Sequence, residues 1–392
     1  MMFAVFWTAA VYACNVPVYR FALERWPGDN YEVVVFHGGD LSTEERSTID
    51  LLFTYSNRKI PYSNYVLTTV NLETGMSEEY KRLLGSLGNA ELPRIVLRYP
   101  KRTGIAKGIW HAALTEENVR MLIDSPVRRQ IAEHLIDNTS CVWVLLESGD
   151  DGKDDAAAAL LESELRNMEE TLTLPEQVFE TLLPNEQDPR LEKLKISFKL
   201  IRFSRIDHAE SPFVAMLTNS ESDLAEYASS PMAFPVYGRG RGLFPLIGAG
   251  ITADNISSSC AFLTGACACE VKADNPGFDL LFNTDWDSGI GESWIEVTNL
   301  PPLVGLSEML SGSGETSTDG TYAETAAAEI RDNPEPVSAD EPENSRVNRV
   351  DEEDGESSNR IFGNTMITIG IFIIFVSFMA SRIVARQIRR KR

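Results

Sequence analysis

The side chains best suited to covalent or metal chemistry are five cysteines, Cys14, Cys141, Cys260, Cys267 and Cys269. Three of them, Cys260, Cys267 and Cys269, cluster around Leu263-Thr264-Gly265-Ala266. Three soft ligands so close together suit copper(I) or zinc. Cys-x-Cys is not a usual zinc spacing, however, and no histidine lies near. The expected use of the cluster is therefore a short disulfide from Cys260 to Cys267 or Cys269, with Gly265 letting the chain turn back. Cys14 heads the run Cys14-Asn15-Val16-Pro17 before a helical segment. A thiol at a helix N-terminus has its thiolate stabilised by the helix dipole. Pro17 stands where a resolving cysteine would be needed, so Cys14 reads first as a structural or terminal thiol and second as a weak catalytic one.

Other chemistry-bearing residues are scattered. The histidines are His37, His111, His134 and His208, and no Ser–His–Asp arrangement follows from their spacing. His37 closes an apolar run ahead of Gly38-Gly39-Asp40, where ligands bind in many open sheets. Gly238-Arg239-Gly240-Arg241-Gly242 lacks the Lys-Ser/Thr of a phosphate loop and reads as a hairpin, with Arg239 and Arg241 as weak anion-binding candidates. No cofactor is expected unless the cysteines hold copper or zinc.

The elements that must position these residues alternate in type. Tyr31–Phe36, Tyr65–Asn71, Pro93–Tyr99 and Gly108–Leu114 have the β-branched or apolar character of strands. Between and after them, helices are expected over Val16–Trp26, from Ser42 to about Tyr55, over Ser77–Leu87 and over Glu116–Asp137, with a break at Pro126. Ser42 and Glu45 have capping-box spacing. The pattern begins again at Cys141–Glu147, followed by a helix over Asp151–Leu172. Strands are expected over Leu194–Phe203 and Pro212–Thr218, a strand or hairpin over Met232–Leu246, and a helix over Ala253–Leu263. Alternation of this kind implies an α/β layer architecture.

The order strand, helix, strand, helix, proline-led strand, hairpin partner, closing helix resembles the thioredoxin-like fold, twice over. Leu92-Pro93-Arg94-Ile95-Val96 and Ser211-Pro212-Phe213-Val214 sit where that family carries its cis-proline strand. The resemblance covers roughly residues 14–300. It implies that Pro93 and Pro212 each enter a central strand, at least one through a cis bond. Neither half has the family's Cys-x-x-Cys, so the family's redox activity is not implied.

The flanks set the organisation. Met2–Ala13 has the length and small-residue end of a signal peptide cleaved after Ala13, with its basic leader upstream of the present start. A buried first strand over Phe3–Ala9 is the rival reading. Residues 306–359 are acidic, rich in Ser, Gly, Thr and Ala and poor in aromatics, as in a disordered tether. Residues 361–381 are apolar and long enough to cross a bilayer. The basic tail, residues 382–392, places that end in the cytoplasm. The expected organisation is a signal peptide (1–13), two tandem thioredoxin-like domains (14–138 and 139–305), an acidic linker, one C-terminal transmembrane helix and a cytoplasmic tail. The net charge of −22 argues against a nucleic-acid partner. The expected function is a non-catalytic binding or assembly module on the outer face of a bacterial cytoplasmic membrane, its partners the bilayer and another envelope protein. The alternative is a thiol–disulfide or copper-handling protein using Cys14 and the Cys260/Cys267/Cys269 cluster, and the thiol state separates the two.

Overall fold

A computed structural model describes residues 16–56, 63–175, 195–267 and 271–295. The chain divides into two compact units, Met1–Gly305 and Leu306–Arg392, and every described residue lies in the first. The expected signal peptide, Cys14, Cys269, the tether, the anchor and the tail lie outside the described residues. Among the described residues no helix is long and apolar enough to cross a membrane.

The unit is mixed α/β with two sheets. The strands are β1 (Tyr31–His37), β2 (Tyr65–Asn71), β3 (Arg94–Arg98), β4 (Gly108–Ala113), β5 (Cys141–Glu147), β6 (Phe198–Ser204), β7 (Met232–Tyr237), β8 (Arg241–Gly242), β9 (Leu246–Ile247) and β10 (Phe278–Asp279). The helices are α1 (Val18–Arg25), α2 (Thr43–Ser56), α3 (Glu78–Gly85), α4 (Glu116–Ile123), α5 (Pro126–Ile136), α6 (Asp151–Thr171), α7 (Ser211–Thr218), α8 (Ala253–Thr264) and α9 (Trp286–Ile290). The first sheet has the order β2-β1-β3-β4, and the second β10-β8-β7-β5-β6 with β9 also on β7. Within each half the first two strands are parallel and the third antiparallel to the first.

Local sequence accounts for most of these elements. Ser42 and Glu45 exchange the two hydrogen bonds of a capping box ahead of α2, Ser42 N to Glu45 Oε2 at 2.6 Å and Glu45 N to Ser42 Oγ at 3.1 Å. The closing helices of both halves start alike. Thr115 accepts from Asn118 N, and the Asn118 side chain donates back to Ala113 O. Thr252 accepts from Asn255 N, and the Asn255 side chain donates back to Gly250 O. The underlying words, Leu114-Thr115-x-x-Asn118-Val119 and Ile251-Thr252-x-x-Asn255-Ile256, are an internal repeat.

One expected strand is a helix. Pro212 lies in the first turn of α7 rather than at the head of a strand. A proline at that point loses no helical hydrogen bond. Phe213, Met216 and Leu217 then fall on one helical face and are fully buried. The residue that leads the third strand of the second half is Pro231, directly before β7. In the first half Pro93 leads β3, and the Leu92–Pro93 bond is cis. In each half the residue after a strand that pairs with the proline-led one donates to that proline's carbonyl: Leu114 N, after β4, to Pro93 O at 3.1 Å, and Gly248 N, after β9, to Pro231 O at 2.9 Å.

The two sheets share a core. Val33, Val35, Ile95 and Leu97 of the first sheet and Val142, Val144, Phe234 and Val236 of the second belong to one continuous apolar cluster, filled in by α2, α4, α5 and α7. The far face of the first sheet packs on α3 through Val34, Phe36, Val96 and Leu83. The far face of the second packs on α1, α6 and α8. The layers therefore run α3, sheet, α2/α4/α5/α7, sheet, α1/α6/α8. The segment α1 precedes the first sheet in sequence yet covers the second. The segment 278–282 follows the second half yet reaches the first, where Asn64 donates to Leu280 O and Tyr31 donates to Asp279 O.

Candidate functional site

Cys260 lies on the inward stripe of α8 with Ile256 and Leu263, and it is a free thiol. The expected disulfide from Cys260 is therefore absent. The reason is the path of the chain after α8. Val18 N donates to Gly265 O and Cys267 N donates to Val16 O, so the segment pairs with the start of α1 instead of folding back on Cys260. Cys141, on β5, is a second buried free thiol. Burial pushes the Cys260 thiol up to about 12, an interaction with Trp143 offsetting part of this. Burial, with Cys260 as a neighbour, pushes Cys141 well above its ordinary value. Both stay protonated at neutral pH, and a thiol is a poor nucleophile and a poor metal ligand. Among the described residues no three His, Cys, Asp or Glu side chains are placed to hold a metal ion.

The two arginines of the glycine-rich hairpin are fasteners. Arg239 donates to Leu23 O and Glu24 O at the end of α1 and to Asp287. Arg241 donates to Pro276 O, Asn275 O and Asp279 Oδ1. These bonds tie both guanidinium groups to neighbouring backbone and carboxylate oxygens. Glycine is required between them, since Gly240 has φ +83° and a Cβ there would meet the Phe282 ring at 2.3 Å. Asp279 also accepts from Lys272 Nζ and from Asp29 N, and Asp29 pairs with Lys272 and Arg102. This clasp of three cations and two carboxylates ties the 272–279 segment to the α1–β1 linker.

The histidines sit on separate elements. His37 ends β1, its Nδ1 3.4 Å from Gly39 O. His111 lies on β4 beside Arg94, with its pKa lowered by burial and then by that guanidinium. His134 lies on α5. His208 lines a cleft of about 440 Å³ with Tyr55, Arg120, Asp124 and Arg129. The two cleft arginines are held by Glu116 and Asp124.

The arrangement best suited to a ligand lies in the second half, where the sequence reading placed no site. A groove of about 370 Å³ runs between the first turns of α6 and the strand-leading Pro231. Ala156, Ala157 and Leu160 form one wall, Ser230 and Pro231 the floor, and Gly248, Ala249 and Ile251 the other wall. Lys153 stands at one end, donating to Ser229 O at 3.3 Å and pairing with Asp150 at 3.1 Å. The lining is mostly small and apolar, with Lys153 and Ser230 as its polar members, a composition that suits holding a chain segment. The repeated Thr-x-x-Asn word aligns Leu114 with Ile251, a residue of the groove lining.

No protein-family model, no curated protein and no solved structure matches this chain.

Proposed function

We propose that the protein is a non-catalytic binding module built from two thioredoxin-like halves. In this reading residues 361–381 hold it on the outer face of a bacterial cytoplasmic membrane, where it engages another envelope protein. The observation that carries the binding role is the mostly apolar groove along Pro231, with the Lys153 ammonium at one end. Both halves run strand, helix, strand, helix, proline-led strand, hairpin partner, closing helix, and this supports the family reading. The burial of Cys141 and Cys260 weighs against the use of either in thiol–disulfide exchange. The acidic tether and basic tail support the placement.

The test uses fluorescently labelled peptides of extended, apolar sequence and the full chain in mild detergent, read by anisotropy. Saturable binding is expected, lost on Ala156→Trp, which fills the groove from an exposed position, and unchanged when accessible thiols are alkylated. Absence of saturable binding across the panel, or binding that needs free thiols, would refute the reading.

A further inference from the structure

Among the described residues no strand pairs with the outer edge of the first sheet. β2 pairs with β1 on one side and ends the sheet on the other. The ladder is parallel, with Tyr31 opposite Tyr65 and His37 opposite Asn71. Tyr31 N donates to Asn64 O and Leu72 N to His37 O. Even-numbered residues of β2 therefore direct their backbone groups to β1, and Tyr65, Leu67, Thr69 and Asn71 direct theirs outward. Ser63 O takes Tyr65 N, and Asn71 O accepts Thr74 N. Among the described residues nothing pairs with the N–H or C=O of Leu67 or Thr69.

Natural edges are guarded by charge, proline, brevity or cover. The other edges of the two sheets show such guards. β6 carries Lys199 and Arg202, and Arg202 is anchored to Glu147 and Asp155. β4 is covered by α7, with the Trp110 ring N–H donating to Ser211. β10 is two residues long. β2 is seven residues long, Tyr65-Val66-Leu67-Thr68-Thr69-Val70-Asn71, with no charge and no proline, and Val66 is 47% exposed.

We propose that β2 pairs antiparallel with β2 of a second copy of this chain, about a two-fold axis through Thr68, joining two four-stranded sheets into one of eight strands. Register argues for a second copy. An antiparallel hydrogen-bonded pair needs outward groups on both residues. With the axis at Thr68, Leu67 meets the partner's Thr69 and Thr69 the partner's Leu67, outward residue against outward residue, while Tyr65 and Asn71 at the two ends keep their local bonds to Ser63 and Thr74. Val66 then lies opposite the partner's Val70, and Thr68 opposite the partner's Thr68. Both are favourable cross-strand pairs, and no like charges oppose one another. A two-fold contact of this kind closes on itself.

The full chain is purified in mild detergent and its mass measured by sedimentation equilibrium at micromolar concentration. A two-chain mass is expected. Thr69→Pro removes an outward donor that β1 does not use, a position where an edge strand tolerates proline. It should halve the mass while leaving the far-ultraviolet spectrum and melting unchanged. Thr68→Cys should form an inter-chain disulfide above the parent's background under mild oxidation, and Val66→Cys should not. A one-chain mass in the parent, a two-chain mass that survives Thr69→Pro, or no Thr68→Cys cross-link would overturn the proposal. If Thr69→Pro fails to fold, the cysteine pair decides.

Discussion

Arg128 is the residue whose environment departs furthest from what its type suggests. It is 1% exposed and donates to the carbonyls of Met121, Leu122, Ile123 and Leu281 and to Ser125 Oγ. Burial pushes its guanidinium down to about 10, and it remains charged at neutral pH. It ties the end of α4 to the segment after β10. Arg128→Met would strand several buried carbonyls, each costing about 1–3 kcal/mol. A large fall in the urea midpoint is expected, and a midpoint near the parent's would refute the role. Glu210 is its buried counterpart, accepting from Val127 N at 2.8 Å near the start of α5. Burial raises its pKa. The protonated form is therefore favoured by folding, and its contribution is complete below the unfolded value of about 4.3. That contribution is lost as pH rises through the folded value. Glu210→Gln should remove this decline, so the parent-minus-variant difference in unfolding free energy should fall between pH 4 and neutrality. A difference independent of pH would refute it. For the thiols, mass-spectrometric mapping should find Cys141 and Cys260 unlabelled by a thiol reagent at pH 8 until denaturant is added.

At the scale of elements, the segment 271–295 works as a strap. It extends the second sheet through β10, places Leu280, Leu281 and Phe282 in the shared core, and returns to α1, where Glu24 accepts from Trp294 N and Ile295 N. Its anchor is the Asp279 clasp. Both Arg241 and Asp279 are under 5% exposed on the side chain, so removing one partner leaves an uncompensated buried charge. Asp279→Ala should cost about 3–5 kcal/mol, measured by urea denaturation, and should open the 272–279 segment to limited proteolysis. An unchanged cleavage pattern would show that apolar packing alone holds the strap.

At the scale of the whole molecule, the shared core makes residues 16–295 one folding unit. Trp110 reports on the first half and Trp143 on the second, and their environments should be lost in a single denaturant transition. Separately expressed fragments 14–138 and 139–305 should be largely unfolded. The first would expose the apolar faces of α4 and α5, and the second would lack the α1 cover over Trp143. Two resolved transitions, or a well-folded fragment, would refute the unit.

Much of this was legible in the chain itself. Short-range physics decides caps, apolar runs and proline breaks, so the capping box at Ser42, the split at Pro126, the strands β1, β5 and β7 and the helices α6 and α8 follow from spacing alone. The α/β alternation follows with them. Pro212 was misread because Phe213, Val214, Met216 and Leu217 form an apolar run that length alone does not assign, and burial against β4 selects the helix. Tertiary structure alone decided the rest, because each remaining feature joins residues far apart in sequence. These features are the groove at Pro231, the engagement of Arg239 and Arg241, the burial of Cys260 and the crossing of α1 and the strap between halves. Their local sequence suits several partners, and only the packing of one shared core between two sheets selects among them.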